Sequence, residues 1–459
     1  MNDLPNGFTG YSGISPDFES AADAMRKSRT EAPQTSHVNT PSPMRSSAPD
    51  GAFQYARDMS SGRRIQGELP FDLDRIDHLS SPERRGARSE IDLGAIRHNV
   101  VDVRRHLGSR TRLMAVVKAD GYGHGAPEVS KVMLNAGADR LAVSNIDEAM
   151  QLRKAGVRAP ILILAQPPAS SIPLLLGYNV TPTIYNAEYA IAYAEAADLH
   201  GMKAPDHLAV NTGMNRIGVR FDEVVEFLYQ VSFHRALELE GTFTHFATAD
   251  DADPFEMQIQ TKHFIEALQG MQAAGFDPGI VHAANSAATY RYPDVHFDMV
   301  RCGLALYGFH PCPETRDVAD LKPAMSVHAR ITDTRFVPMS EGVSYGLHYR
   351  SPGSVKICTV PIGYADGLRR NLSGNTDFIM NGRYFRQVGN ICMDQCMFEV
   401  DMRSYGTRER IDPQVGDEVI IVGSQGIAEV TIDEMAYKLD TIPYEIAIGF
   451  SHRLERVYV

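Results

Sequence analysis

Lys118 stands directly after the apolar run LMAVV (113–117) and opens the segment Lys118-Ala119-Asp120-Gly121-Tyr122-Gly123-His124-Gly125. A lysine at the end of a buried strand loses hydration, which favours the neutral amine and with it the capacity to form a Schiff base. Glycines at 121, 123 and 125 let the backbone approach a ligand closely. Other polar groups end or follow apolar runs in the same way: Asn211 to Arg216, His245 to Asp250, Asn285-Ser286, and Arg301-Cys302-Gly303. Ser286 and Gly303 offer a hydroxyl and backbone N–H groups, which suits a phosphate held by directed hydrogen bonds. Taken singly, each is ordinary; a strand-end lysine usually just reaches water. Their shared placement is the signal.

That placement needs a fold in which many strand ends converge. From residue 89, short apolar runs alternate with helix-like segments such as PEVSKVMLNAG, IDEAMQLRKAG and QTKHFIEALQGMQAAG. The runs are 113–117, 140–144, 160–165, 180–185, 207–211, 241–246, 280–284 and 298–301. Strands apolar on both faces, each followed by a helix, indicate a parallel sheet. Eight such repeats predict a (β/α)8 TIM barrel of the α/β class rather than an open doubly wound sheet. The site of that fold lies at the C-terminal strand ends, and phosphate often sits after strands seven and eight. Ser286 and Gly303 fall there.

The segment EIDLGAIRHNVVDVRRHL reads as a strand and a helix leading into the barrel. After about residue 325, MSVHARITDTRFV, SVKICTVPI and DEVIIVGS alternate apolar and polar residues and predict a mainly β C-terminal domain. TIDEMAYKLD reads as one helix within it. Residues 1–88 are rich in Ser, Pro and Thr and bury too little surface to offset chain entropy, so a disordered leader is expected. The expected division is leader 1–88, barrel with its leading strand and helix 89–325, and mainly β domain 326–459.

Composition narrows the function. The net charge of -12 argues against a nucleic-acid partner. No apolar run approaches the length of about 18 residues that a membrane span needs. The N-terminus shows no secretory pattern. The five cysteines have neither disulfide nor zinc spacing, so no metal is expected and a cytoplasmic location is. The remaining histidines carry no signal of their own.

The motifs VVKADGYGHG, NTGMNRIG, THFATAD, HAANSAA, VRCGLALYG, VSYGLHY, PIGYADG, NICMDQ and TIPYEI occur in this order. Together they resemble the alanine racemase family over residues 89–459. The resemblance implies an isomerase that interconverts L- and D-alanine with pyridoxal 5'-phosphate (PLP), supplying D-alanine for peptidoglycan. By resemblance, Lys118 would carry PLP and Tyr345 would be the opposing base. Tyr122, Ser286, Gly303, Leu304 and Tyr444 would hold the phosphate. Arg301 would face the pyridine nitrogen with His245 behind it. Arg216 would hold the substrate carboxylate and orient Tyr345, helped by the backbone at Met393. Tyr364 and Tyr444 would narrow the mouth, with Asp250 and Arg370 further out. Tyr345 and Met393 would come from the neighbouring subunit of a homodimer.

Racemisation needs a proton to leave one face of Cα and another to arrive on the opposite face, so two bases flanking one plane are the direct solution. A tyrosine, with a reference pKa near 10, needs a nearby positive charge to serve as one; Arg216 is the candidate. The chain departs from the family pattern at Ala209, Asn211 and Asn390, where many relatives carry lysine, aspartate and arginine. Those departures keep a broad-specificity amino-acid racemase in view. A PLP-dependent decarboxylase lacks its expected motifs here, and a non-catalytic PLP-binding protein would lack the second domain.

Overall fold

The computed structural model describes residues 81–401 and 411–459. Residues 1–80, and with them most of the expected leader, lie outside the described residues. Its last part is ordered: Ser81–Arg85 form a short helix and Ala87 begins a strand.

The strands are β1 (Ala87–Ile91), β2 (Arg112–Val116), β3 (Arg140–Val143), β4 (Ile161–Ile163), β5 (Thr181–Ile184), β6 (Ala204–Asn211), the two-residue β7 (Val219–Arg220), β8 (Leu237–Phe243), β9 (Ile280–His282) and β10 (Met299–Cys302). Eight of these, β2 to β6 and β8 to β10, run parallel in the order β5-β4-β3-β2-β10-β9-β8-β6, and a β5–β6 pairing closes the barrel. The eight apolar runs of the sequence mark these eight strands. Most of their residues are buried on both faces because helices such as Ile146–Lys154, Ala187–Leu199 and Phe255–Ala273 cover the outside. Asn145, Asn186 and Asn285 each start a helix by accepting a hydrogen bond from a backbone N–H three residues on.

The C-terminal portion contains β11 (Met325–Arg330), β12 (Asp333–Val337), β13 (Gly342–Val343), β14 (Tyr349–Arg350), β15 (Val355–Val360), β16 (Asp377–Met380), β17 (Arg383–Val388), β18 (Cys396–Asp401), β19 (Glu418–Gln425), β20 (Ala428–Val430) and β21 (Glu455–Tyr458). Its main sheet runs β12-β15-β18-β17-β16-β19-β11-β1-β21. The sequence pattern groups β1 with the barrel; its hydrogen bonds run instead to β11 and β21 of this sheet. The expected helix appears as Ile432–Lys438, and a second, unexpected one follows at Pro443–Gly449. One apolar core runs from Leu113 and Val300 in the barrel to Ile379 and Val422 in the sheet. A smaller cluster, Val337, Val343, Val355, Ile357 and Val388, packs with Tyr349 and seats the β13–β14 hairpin.

Candidate active site

A cavity of about 400 Å³ opens at the C-terminal ends of the barrel strands. Lys118 and Tyr122 enter it after β2, Arg216 after β6, His245 and Asp250 after β8, Ser286 after β9, and Gly303 and Leu304 after β10. Arg301 reaches it from β10 itself and Tyr444 from the helix Pro443–Gly449. Ala209 and Asn211 also line it.

The segment after β2 is a left-handed turn. Ala119, Asp120, Gly121 and Tyr122 have φ of 52°, 54°, 62° and 51°. A residue with a Cβ in this conformation costs about 1–2 kcal/mol. Glycine spacing alone does not reveal it, because three of the four carry side chains. Fixed polar contacts hold the turn. Ala119 N–H donates to Glu148 Oε1 at 2.8 Å, and Ser144 N–H donates to Glu148 Oε2 at 2.7 Å. Asp120 Oδ1 accepts from Ala126 N–H at 2.9 Å, and its Oδ2 lies 3.1 Å from Arg456. At Gly123 a Cβ would meet the Ala447 carbonyl oxygen at 2.6 Å, so the turn packs against the helix that carries Tyr444. Burial, and then the charge of Arg216, lower the pKa of the Lys118 amine. Arg216 itself hydrogen-bonds none of the described residues.

Tyr122 packs between Tyr307 and Tyr444, with ring centroids 4.8 and 5.7 Å away. Burial keeps its phenol protonated and therefore a donor. A Cβ at position 303 would come within 2.4 Å of that phenol oxygen, so glycine is what leaves the space. Ser286 Oγ accepts from Gly303 N–H at 3.1 Å and from Ala305 N–H at 3.4 Å. Burial, and then the charge of Asp250, raise the Tyr444 phenol to about 12. These groups form one small, donor-rich corner of the cavity.

Arg301 is 3% exposed. Its NH2 group donates to the carbonyls of Thr244 at 2.7 Å and Ala283 at 3.0 Å, and to His245 Nδ1 at 3.0 Å. Its NH1 group donates to His282 Nδ1 at 2.9 Å. Its Nε hydrogen-bonds none of the described residues. Burial, and then Arg216, lower its pKa to about 9, which leaves it charged at neutral pH. Burial and the Arg301 charge bring His245 down to about 3, so it is neutral. His282 was missed by the sequence reading; the signal was a histidine inside the apolar run IVHAA, where alternate side chains must point into the barrel.

Four expected residues lie outside this cavity: Tyr345, Met393, Tyr364 and Arg370. Tyr345 follows β13 in the hairpin loop and is 74% exposed; Met393 and Tyr364 are 51% and 41% exposed. The loop is nonetheless fixed. Ser344, at φ 70°, donates through Oγ to the Asn390 carbonyl at 2.7 Å, and Asn390 Nδ2 donates to the Tyr345 carbonyl at 2.7 Å. Tyr364 and Ala365 N–H groups donate to the carbonyls of Cys392 and Met393, each at 3.0 Å. Tyr345, Asn390, Met393 and Tyr364 thus form one surface connected by hydrogen bonds. The five cysteines are unbonded, and no group of metal-ligating side chains occurs among the described residues.

Comparison with known proteins covers both the barrel and the C-terminal portion. Residues 91–311 match the family described as alanine racemase, N-terminal domain, and residues 324–458 match alanine racemase, C-terminal domain. An alanine racemase of Carboxydothermus hydrogenoformans is 41% identical over 372 residues, which cover 81% of this chain and 99% of that protein. A solved alanine racemase of Clostridium difficile superimposes with a TM-score of 0.76 at 37% identity, covering 82% of this chain and 96% of that one. A histidine racemase of Leuconostoc mesenteroides superimposes with a TM-score of 0.73 at 28% identity, covering 82% and 98%. With both domains matched in order and the barrel-end cavity formed by the family's motifs, the chain belongs to the alanine racemase family.

Proposed function

We propose that the chain interconverts L- and D-alanine with PLP, using Lys118 and the Tyr345 phenol of a second copy as bases on opposite faces of Cα. One observation carries this reading. The cavity holds a desolvated amine, while the phenol expected to oppose it is 74% exposed on its own chain. A homodimer that seats one copy's Tyr345 surface over the other's cavity brings the two together.

The residues fit the cofactor. The corner formed by Tyr122, Ser286, Gly303, Leu304 and Tyr444 offers hydroxyl and backbone donors of the kind a phosphate takes, with a glycine where a side chain would collide. Arg301 has a spare Nε–H, and a guanidinium can only donate; it would meet the pyridine nitrogen without protonating it. The cofactor, when bound, spreads the charge left at Cα into its ring.

The chain's own groups do the rest. Lys118 takes or returns the proton on one face, and its lowered pKa raises the fraction of amine able to do so. Arg216, with no hydrogen-bond partner among the described residues, would hold the substrate carboxylate and favour the Tyr345 phenolate by its charge. Met393 would assist through its backbone. Tyr364, Tyr444, Asp250 and Arg370 would narrow the mouth and exclude water. The reduced cysteines support a cytoplasmic location. The second matched family begins at residue 324, which supports a division at about residue 325, with β1 as the piece that crosses over.

A broader amino-acid range is the second reading. Ala209 and Asn211 line the cavity, and neither brings a charge to Arg216. Incubating the protein and PLP with a panel of L-amino acids, followed by chiral chromatography, tests both. D-alanine as the main product supports the first reading; comparable rates on larger side chains support the second. No D-amino acid, or borohydride reduction that leaves Lys118 unlabelled, rejects both.

A further inference from the structure

Behind Arg301 a line of hydrogen bonds continues through the barrel interior. His282 Nε2 lies 2.8 Å from His207 Nδ1, and His207 Nε2 lies 3.3 Å from Glu240 Oε2. Glu240 Oε1 ends the line on Arg140 at 2.5 Å. Both histidines are fully buried.

The ends of this line fix every proton in it. Arg301 can only donate, so His282 Nδ1 accepts and the His282 proton sits on Nε2. That proton is donated to His207 Nδ1, which places the His207 proton on Nε2, facing Glu240. A carboxylate can only accept, so the line closes with no proton missing and none in excess. Burial keeps both imidazoles neutral, as this arrangement requires.

The backbone is shaped around it. Between β6 and β8, Asp206 pairs with Leu239 and His207 with Gly241, so Glu240 is the extra residue of a bulge. Bulges re-aim side chains, often beside active sites. At Gly241 a Cβ would lie 2.7 Å from His207 Cε1, so the glycine is where the imidazole passes. Phe243, further along the same strand, stacks on His282 at 5.0 Å and lies under the Arg301 guanidinium at 5.1 Å.

We propose that Glu240 and His207 are positioning residues for the reaction: through His282 they hold the plane and the donor-only state of Arg301 from the opposite end of the barrel. This rests on the assignment of Arg301 to the ring nitrogen made above. The line also gives the buried guanidinium a counter-charge without placing a carboxylate beside the cofactor. A carboxylate there would favour a protonated ring nitrogen and so change its electronic character.

The test uses the full chain with and without PLP. In the cofactor-free protein, histidine-selective ¹⁵N spectra should show His282 and His207 as neutral Nε2–H tautomers that do not titrate near neutrality. In Glu240→Gln the His207 signal should lose that fixed tautomer. In the PLP-loaded protein, Glu240→Gln and Arg140→Met should shift the cofactor absorbance band and lower kcat by roughly tenfold at nearly constant KM, the size usual when an outer partner of an orienting histidine is removed. Arg140→Lys, which keeps the charge, should restore the band. Titrating or mixed tautomers in the wild type would overturn the relay. So would variants that melt lower yet keep the wild-type band and kcat, since that pattern marks a purely structural role. Fixed tautomers in a wild type that neither binds PLP nor racemises would sink the proposed function while leaving the relay standing.

Discussion

Two variants that are each inactive should repair one another. Tyr345 lies on an exposed loop outside the cavity that Lys118 lines, so the reading requires each site to draw its amine from one copy and its phenol from the other. Lys118→Ala and Tyr345→Phe each remove one base from every site, and loss of a proton-transfer group costs about 10²–10⁴-fold in rate. In a mixed dimer one site lacks both groups and the other keeps both. Each mixed dimer thus has one working site of two, so the purified mixed dimer should show about half of the wild-type activity. The assay is co-expression under two affinity tags, sequential purification, and chiral analysis of alanine turnover. Mixed dimers no more active than either parent would refute the argument, because that is the outcome when Tyr345 serves its own chain or none.

Three further outcomes follow from local geometry. Tyr122→Phe keeps the ring contacts with Tyr307 and Tyr444 but removes a protonated phenol beside Gly303. Losing one hydrogen bond to a charged phosphate, about 1.5–3 kcal/mol, should weaken PLP binding by at least tenfold, and an unchanged dissociation constant would contradict the phosphate assignment. Glu148→Ala leaves the Ala119 and Ser144 N–H groups without their acceptor and should cost about 1–3 kcal/mol in denaturant unfolding; a wild-type midpoint would show that the left-handed turn stands without it. Asp206 is buried, its Oδ2 has no partner, and burial with the Glu240 charge holds its carboxyl well above the usual range. The folded chain therefore keeps a proton that the unfolded chain releases above about pH 4, and stability erodes as pH rises from there through the folded pKa. Asp206→Asn should melt higher than the wild type at neutral pH and lose the difference in acid; a lower melting temperature at neutral pH would refute this.

The barrel was legible because its strands are apolar on both faces and its polar residues gather at one end of each run. Lys118, Ser286 and Arg301 could be placed at one rim from that pattern alone. The partners of β1 could not, since alternation identifies a strand without saying which of several distant edges it joins. The motif resemblance named Tyr345, but nothing in local sequence says that the loop bearing it faces solvent rather than its own barrel. The relay was invisible for a related reason. His207 and Glu240 are 33 residues apart and meet only because a bulge adds one residue to β8. The helix Pro443–Gly449 is too short for a clear helical period, so Tyr444 was carried by its motif and not by its element.

The strand β1, which precedes the barrel in sequence, pairs at Arg88 with Glu455 of β21, which follows the barrel and the rest of the sheet. A nascent chain therefore makes its entire barrel while β1 still waits for both of its neighbours, β11 and β21, which are made only after it. Loss of β21 would consequently leave β1 as an unpaired edge of the main sheet, with the barrel sequence untouched.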